Sequence, residues 1–169
     1  MEINMSLYSE YIKKAAEILP KGAFLTTFDG NKVNTMTIGW GTFGFQWGIP
    51  TAEVMVRQSR FTKDILDKSM EFTLTFPLDS SMQKELGGCG QKSGRDCDKI
   101  SEFNLKTVSA KEISTPVVAC KSLVFECKVV TKTEMTPELT SSEVMDKWYK
   151  SGDLHTIYYA KVLACYELD

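Results

Sequence analysis

The apolar residues of this sequence repeat every second position over three long runs, and that period limits the fold more than any other feature. EFTLTF places Phe72, Leu74 and Phe76 on one face, and KSLVFECKVV and HTIYYAKVLACYEL alternate in the same way. Successive side chains of a strand point to opposite faces, so this period predicts strands. AFLTTF and AEVMVRQ read as further strands. The first leads into DGNK, where Asp29, Gly30 and Asn31 tolerate the positive φ of a tight turn, so the chain is expected to return as an antiparallel hairpin.

Helical spacing is confined to short pieces. SLYSEYIKKAAEIL sets Leu7, Tyr11, Ala15 and Leu19 four apart, with Tyr8, Ile12 and Ala16 beside them. SRFTKDILDKSM predicts a helix capped by Ser59 with Phe61 and Ile65 facing inward. SSMQKELGG reads as a short helix with a glycine stop, GCGQKSGRDCDK as a loop leading to a helix near DKISEF, and SSEVMDKWYKSGD as a helix with Val144 and Trp148 on one side. About six or seven strands with three or four short helices lack the regular alternation of a doubly wound parallel sheet. The expectation is a mainly β fold, an antiparallel β-barrel with peripheral helices, in a single domain over residues 1–169.

Composition removes several classes of function. Twenty basic and 22 acidic residues leave a formal net charge of -2, so there is no overall attraction to nucleic acid or an anionic membrane. The uncharged run Val33 to Ala52 contains four glycines, four threonines, Asn34, Gln46 and Pro50, which argues against a membrane-spanning helix. MEINMSLYSEY lacks the basic start and apolar core of a secretory signal, so a cytoplasmic protein is expected. The five cysteines show no CxxC spacing and are read as reduced and mostly structural. His155 is the only histidine, so no metal site can be built on paired histidines. No GxSxG, GxxxxGK[ST] or strand-linked GxGxxG motif occurs.

Three segments remain as candidates for chemistry. VNTMTIGWGTFGFQWG looks at first like one long strand, yet repeated glycine marks either a bulged barrel strand or a backbone left bare for a ligand. A planar heteroaromatic ring has polar edges for such a backbone and faces that Trp40, Met36 or Ile38 could cover. In RQSRFT, Arg57, Ser59, Arg60 and Thr62 gather two guanidinium groups and two hydroxyls at a helix start, which suits a phosphate monoester as well as an ordinary cap. SGRD offers Arg95 beside the accessible backbone of Gly94, either as an anion loop or as a solvated turn. Cys89 between glycines could act as a nucleophile with His155 as base, but nothing local predicts a lowered thiol pKa.

Taken in order, NTMTIGWG after a DG hairpin, VRQSRFT opening a helix, EFTLTFP and SGRDCDK resemble the flavin reductase-like family of FMN-binding split barrels, which includes flavoredoxin. TPELTSSEVMDKWYKSGDLHTIYYAKV is similar to a subgroup of it. The resemblance implies a six-stranded Greek-key split barrel, working as a homodimer, with FMN near the subunit interface. It implies that Asn34, Thr35, Met36 and Thr37 lie along the flavin ring with Trp40 close by. Arg57, Ser59, Arg60 and Thr62 would hold the phosphate, the loop Ser93, Gly94 and Arg95 would close over the site with Lys99 helping, and His155 is a further candidate. The activity implied is flavin reduction by hydride transfer from NADH or NADPH to flavin N5, with free flavin or a redox partner protein as acceptor. An electron carrier with tightly held FMN and a flavin-binding protein without turnover are the alternatives. Two positions depart from the family pattern: Lys161 stands where an acid is common, and Gln58 where proline is common.

Overall fold

The computed structural model describes residues 3–169, so the first two positions of the expected domain and of the N-terminal segment lie outside the described residues. In chain order the elements are α1 (Met5–Ile18), β1 (Ala23–Phe28), β2 (Val33–Ile38), β3 (Gly41–Gln46), β4 (Ile49–Arg57), α2 (Phe61–Ser69) and β5 (Glu71–Pro77). They continue with α3 (Gln83–Gln91), α4 (Lys99–Glu102), β6 (Thr107–Val108), β7 (Val117–Val118), β8 (Ser122–Glu134), α5 (Ser142–Trp148) and β9 (His155–Leu168). Seven strands form one antiparallel sheet in the order β2-β1-β5-β8-β9-β4-β3, and β6 and β7 form a small ribbon.

The split barrel follows from the long bare run. Val33–Gln46 is one extended stretch, divided at Gly39 and Trp40 into β2 and β3, which occupy the two opposite edges of the sheet. Two residues cannot separate those edges by more than a short step, so the sheet has to curl until they meet. The seventh strand, relative to the expected six, is this division. Gly41 begins the second half where a Cβ would lie 2.7 Å from the Glu53 carbonyl oxygen, so only glycine lets β3 and β4 start at their observed separation.

Phe72, Leu74 and Phe76 share one buried face as their period required, and they pack with Leu25, Val54, Val56, Phe125 and Tyr158 inside the curl. Burying each large apolar side chain contributes roughly 1.5–3 kcal/mol. A second cluster of Phe24, Leu86, Cys89, Leu105 and Val118 lies beneath α3 and the small ribbon.

Helix α1 is centred on Tyr8 and Ala15, while Leu7 and Ala16, expected on its apolar stripe, are exposed. Tyr8 sets this rotation. Its buried hydroxyl lies 2.9 Å from the Gly44 carbonyl and 2.8 Å from the Thr51 carbonyl, and burial pushes its pKa up to about 12.

Other departures from the sequence reading also have local causes. Helix α3 does not stop at its first glycines but runs through Gly87, Gly88, Cys89 and Gly90 to Gln91. A Cβ on Gly88 would fall 2.2 Å from the Phe103 ring, so this glycine serves close packing rather than termination. In α5 both Val144 and Trp148 remain exposed, and no residue of that helix is buried. The hairpin β1–β2 turns as expected: Gly30 has φ 93°, and the Asp29 carboxylate accepts from the amides of Asn31 and Lys32.

Gly41→Ala is expected to force β3 and β4 apart and to lower unfolding free energy by about 1–3 kcal/mol. Urea denaturation checks this, with Gly87→Ala, which meets nothing within 4 Å, as the control that should leave stability nearly unchanged.

Candidate functional site

The end of β2, the end of β4 and the start of β9 converge on a cleft of about 250 Å³. It is lined by Met36, Thr37, Ile38, Gly39 and Trp40 on one side and by Met55, Arg57, Arg60, Trp148 and His155 on the other. Sheet register makes the second group: β4 pairs with β9 so that Arg57 lies opposite His155, about a hundred residues away in the chain. Because β2 is an edge strand, alternate backbone N–H and C=O groups point away from β1.

Three aromatic rings line the cleft, inclined to one another. Trp40 meets Trp148 edge-on at 4.9 Å and lies 5.5 Å from the His155 ring at an angle of 49°. His155 is held by its Nδ1, 2.7 Å from the Tyr149 hydroxyl. Burial, together with the neighbouring Arg57 charge, pushes its pKa down to about 4, so the imidazole is neutral near neutral pH.

The cationic residues divide by their partners. Arg57 donates to the carbonyls of Asp153 at 2.6 Å and Trp148 at 3.2 Å, with its guanidinium 5.1 Å from the centre of the Tyr149 ring. The Arg60 guanidinium makes no hydrogen bond or ion pair among the described residues, although it lines the cleft. Lys99 is buried, donates to the Cys89 carbonyl at 2.8 Å, and has its pKa lowered by desolvation.

Ser59 is not the cap of α2. Arg60 holds the N-cap position without a side-chain bond, and the Ser59 amide and hydroxyl both donate to the Asp153 carboxylate, at 3.0 and 2.6 Å. A bond to a carboxylate is stronger than a neutral cap, which explains the preference. It leaves the first-turn amides of α2 without a side-chain acceptor. Phe61, expected to face inward, instead lies between Lys32 and Arg95, 5.0 and 5.6 Å from its ring centre.

Asn34, Thr62 and Gly94 form a buried support next to this junction, with Arg95 exposed above it. Asn34 Nδ2 donates to Thr62 Oγ1 at 2.9 Å, and a Cβ on Gly94 would fall 2.0 Å from Asn34 Oδ1, so the Ser93–Arg95 loop is seated directly on β2. Arg95 donates to the Ser59 carbonyl and to Asp64, each at 2.6 Å, and its amide donates to Ser93 Oγ at 3.2 Å. Thr35 points away from the cleft, where its hydroxyl accepts from Thr26 at 3.1 Å. Cys89 is fully buried and its thiol pKa is pushed up to about 11, so it does not act as a nucleophile with His155. Among the described residues no group of three or more His, Cys, Asp or Glu side chains could hold a metal ion.

The flavin reductase like domain family matches residues 19–167 of the chain. The chain belongs to this family. Among flavin reductase like structures, a flavoredoxin from Methanosarcina acetivorans is 24% identical, with a TM-score of 0.67 over 86% of this chain and 67% of that one. Flavoredoxin of Desulfovibrio vulgaris is 18% identical, with a TM-score of 0.69 over 86% and 68%. An NADH:FAD oxidoreductase from Streptomyces globisporus is 17% identical, with a TM-score of 0.66 over 86% and 75%. At these identities the likeness concerns the fold. None of the curated proteins matches.

Against the family pattern, Lys161 lies opposite Thr51 in β9 and borders a different pocket, with Phe45 and Pro50. Gln58 donates its amide to the Leu154 carbonyl at 2.9 Å, a bond that proline could not make. Met55, Trp148 and Asp153 were not singled out for the site from sequence, because only the β4–β9 register brings them to it.

His155 makes a pH prediction. The unfolded chain takes up a proton on this ring below about pH 6.5, whereas the folded protein does so only near 4, so stability is lost as pH falls through that window. The thermal midpoint of His155→Gln, compared with the original chain from about pH 8 to about pH 4, should fall less steeply below about 6.5.

Proposed function

We propose that this chain binds FMN in the cleft and works as a flavin-dependent oxidoreductase using NADH or NADPH. The observation that carries the reading is the junction of two kinds of surface in one cleft: the bare edge of β2 with aromatic faces, and the Arg57–Arg60 start of α2. These residues fit a planar heteroaromatic ring with an anionic tail. Backbone groups of β2 would bond the ring edge, and Trp40 and His155 would limit its tilt. Arg60 and the uncapped amides of α2 would hold the phosphate.

When bound, the flavin supplies the redox chemistry by accepting a hydride equivalent from the nicotinamide. The protein's part is to orient the ring, to exclude water with Met36, Ile38 and Trp40, and to place neutral His155 as a hydrogen-bonding group at the cleft. No side-chain acid or base is required beyond this. The volume of about 250 Å³ is below the roughly 300–1,000 Å³ that encloses a whole drug-sized ligand, which leaves part of the cofactor at the surface.

That open side supports assembly as a homodimer, as does the exposure of Phe45 and Trp47 at 60% and 63% along the β3–β4 hairpin. Sedimentation at twice the chain mass is the expected result. No helix among the described residues is long and apolar enough to cross a membrane, and five free cysteines agree with a reducing cytoplasm.

Structures of flavoredoxins and of an NADH:FAD oxidoreductase share this fold to a like degree, which supports a second reading as an electron carrier. Gel filtration after loading with FMN, followed by NADH and NADPH oxidation with and without added free flavin, separates the two. Oxidation with either nucleotide supports the reductase; retained flavin without oxidation supports the carrier. Absence of any flavin binding rejects both.

Arg60→Ala is expected to lose roughly 10–100-fold in FMN affinity, the equivalent of a charge-assisted contact, with little change for riboflavin. Fluorescence titration checks this, and equal losses for the two flavins would contradict the phosphate assignment.

A further inference from the structure

The Asp153 carboxylate occupies donors that an incoming phosphate would need. Its Oδ1 accepts from the Ser59 amide at 3.0 Å and its Oδ2 from the Ser59 hydroxyl at 2.6 Å. Ser59 immediately precedes Arg60, the N-cap of α2, whose guanidinium lines the cleft with no hydrogen-bonded or ionic partner among the described residues. A phosphate held by Arg60 and the first-turn amides of α2 therefore lies beside a fixed negative charge that already holds the amide and hydroxyl of Ser59, the residue before Arg60.

The carboxylate is not what holds its own segment in place. Arg57 donates to the carbonyls of Asp153 and Trp148, the Gln58 amide donates to the Leu154 carbonyl at 2.9 Å, and the Tyr149 hydroxyl bonds His155. The turn closes through Gly152, whose φ of 77° suits glycine and whose amide donates to the Tyr149 carbonyl at 2.8 Å. Backbone bonds on both sides of Asp153 survive rotation of its side chain. The specific effect of the carboxylate falls on Ser59.

We infer that Asp153 is a specificity-determining residue, an internal anion that competes with the flavin phosphate for Ser59 and so reduces this chain's preference for phosphorylated over unphosphorylated flavin. The inference rests on the flavin reading above. It makes Ser59 a conditional ligand, available to a phosphate only when Asp153 rotates away, while Arg60 is available throughout. It also distinguishes Asp153 from Arg57: one sets which flavin is favoured, the other holds the segment that carries Trp148.

The test measures dissociation constants for FMN and riboflavin by fluorescence titration of the full chain, in the original protein and in Asp153→Asn and Asp153→Ala, with folding checked by circular dichroism and thermal midpoint. Asp153→Asn keeps the size of the side chain and removes its charge. The ratio of riboflavin to FMN dissociation constants should rise about tenfold in both variants, equivalent to about 1.4 kcal/mol, through tighter FMN binding with riboflavin changed less than about threefold. An unchanged or smaller ratio overturns the role of Asp153 while leaving flavin binding intact. Failure of both variants to fold also overturns it, because the carboxylate would then be a structural tie. If neither flavin binds to the original chain or to either variant, the flavin reading itself fails and this inference falls with it.

Discussion

One extended run forms both edges of the main sheet. Val33–Gln46 bends at Gly39 and Trp40, and its halves pair with different neighbours, β2 with β1 and β3 with β4. This bend curls the sheet around Phe72, Phe76 and Phe125, and it leaves the outer side of β2 without a partner strand. The cleft lies at that bend, so the feature that closes the barrel also leaves a backbone edge open beside it. At Gly41 the demand comes from the backbone itself, since the Glu53 carbonyl of β4 passes too close for any side chain.

The charges around the cleft show how little of a cluster of cations is free once the chain has folded. Arg57 is committed to two carbonyls and the Tyr149 ring, Arg95 to the Ser59 carbonyl and Asp64, and Lys99 to a buried carbonyl. Arg60 alone among these four has no hydrogen-bonded or ionic partner among the described residues. Asp153 then offsets part of the remaining field by occupying Ser59. An anion site here depends on which internal bonds give way to the ligand, and not on the number of arginines near a helix start.

Much of the fold was legible because strand periodicity is local. The alternation of Phe72, Leu74 and Phe76 named the inner face of β5, and Asp29–Gly30–Asn31 named the first hairpin. The glycines of α3 were misread as a stop because their reason is a contact with Phe103, fifteen residues further on, which no local pattern records. Ser59 was misread as a cap for a similar reason: its competing acceptor, Asp153, lies on the far side of the β4–β9 pairing.

By itself the sequence determined the strand-rich class, the antiparallel hairpins, the absence of paired histidines and the two segments, Asn34–Trp40 and Arg57–Thr62, that adjoin the cleft. Those properties depend on period, residue type and neighbours a few positions apart. Only the tertiary structure decided that Arg57 lies opposite His155, that Trp148 meets Trp40, and that Asp153 holds Ser59. These depend on register between strands distant in the chain, and a shift of a single residue between β4 and β9 would break the pairing of Arg57 with His155 around which the others gather.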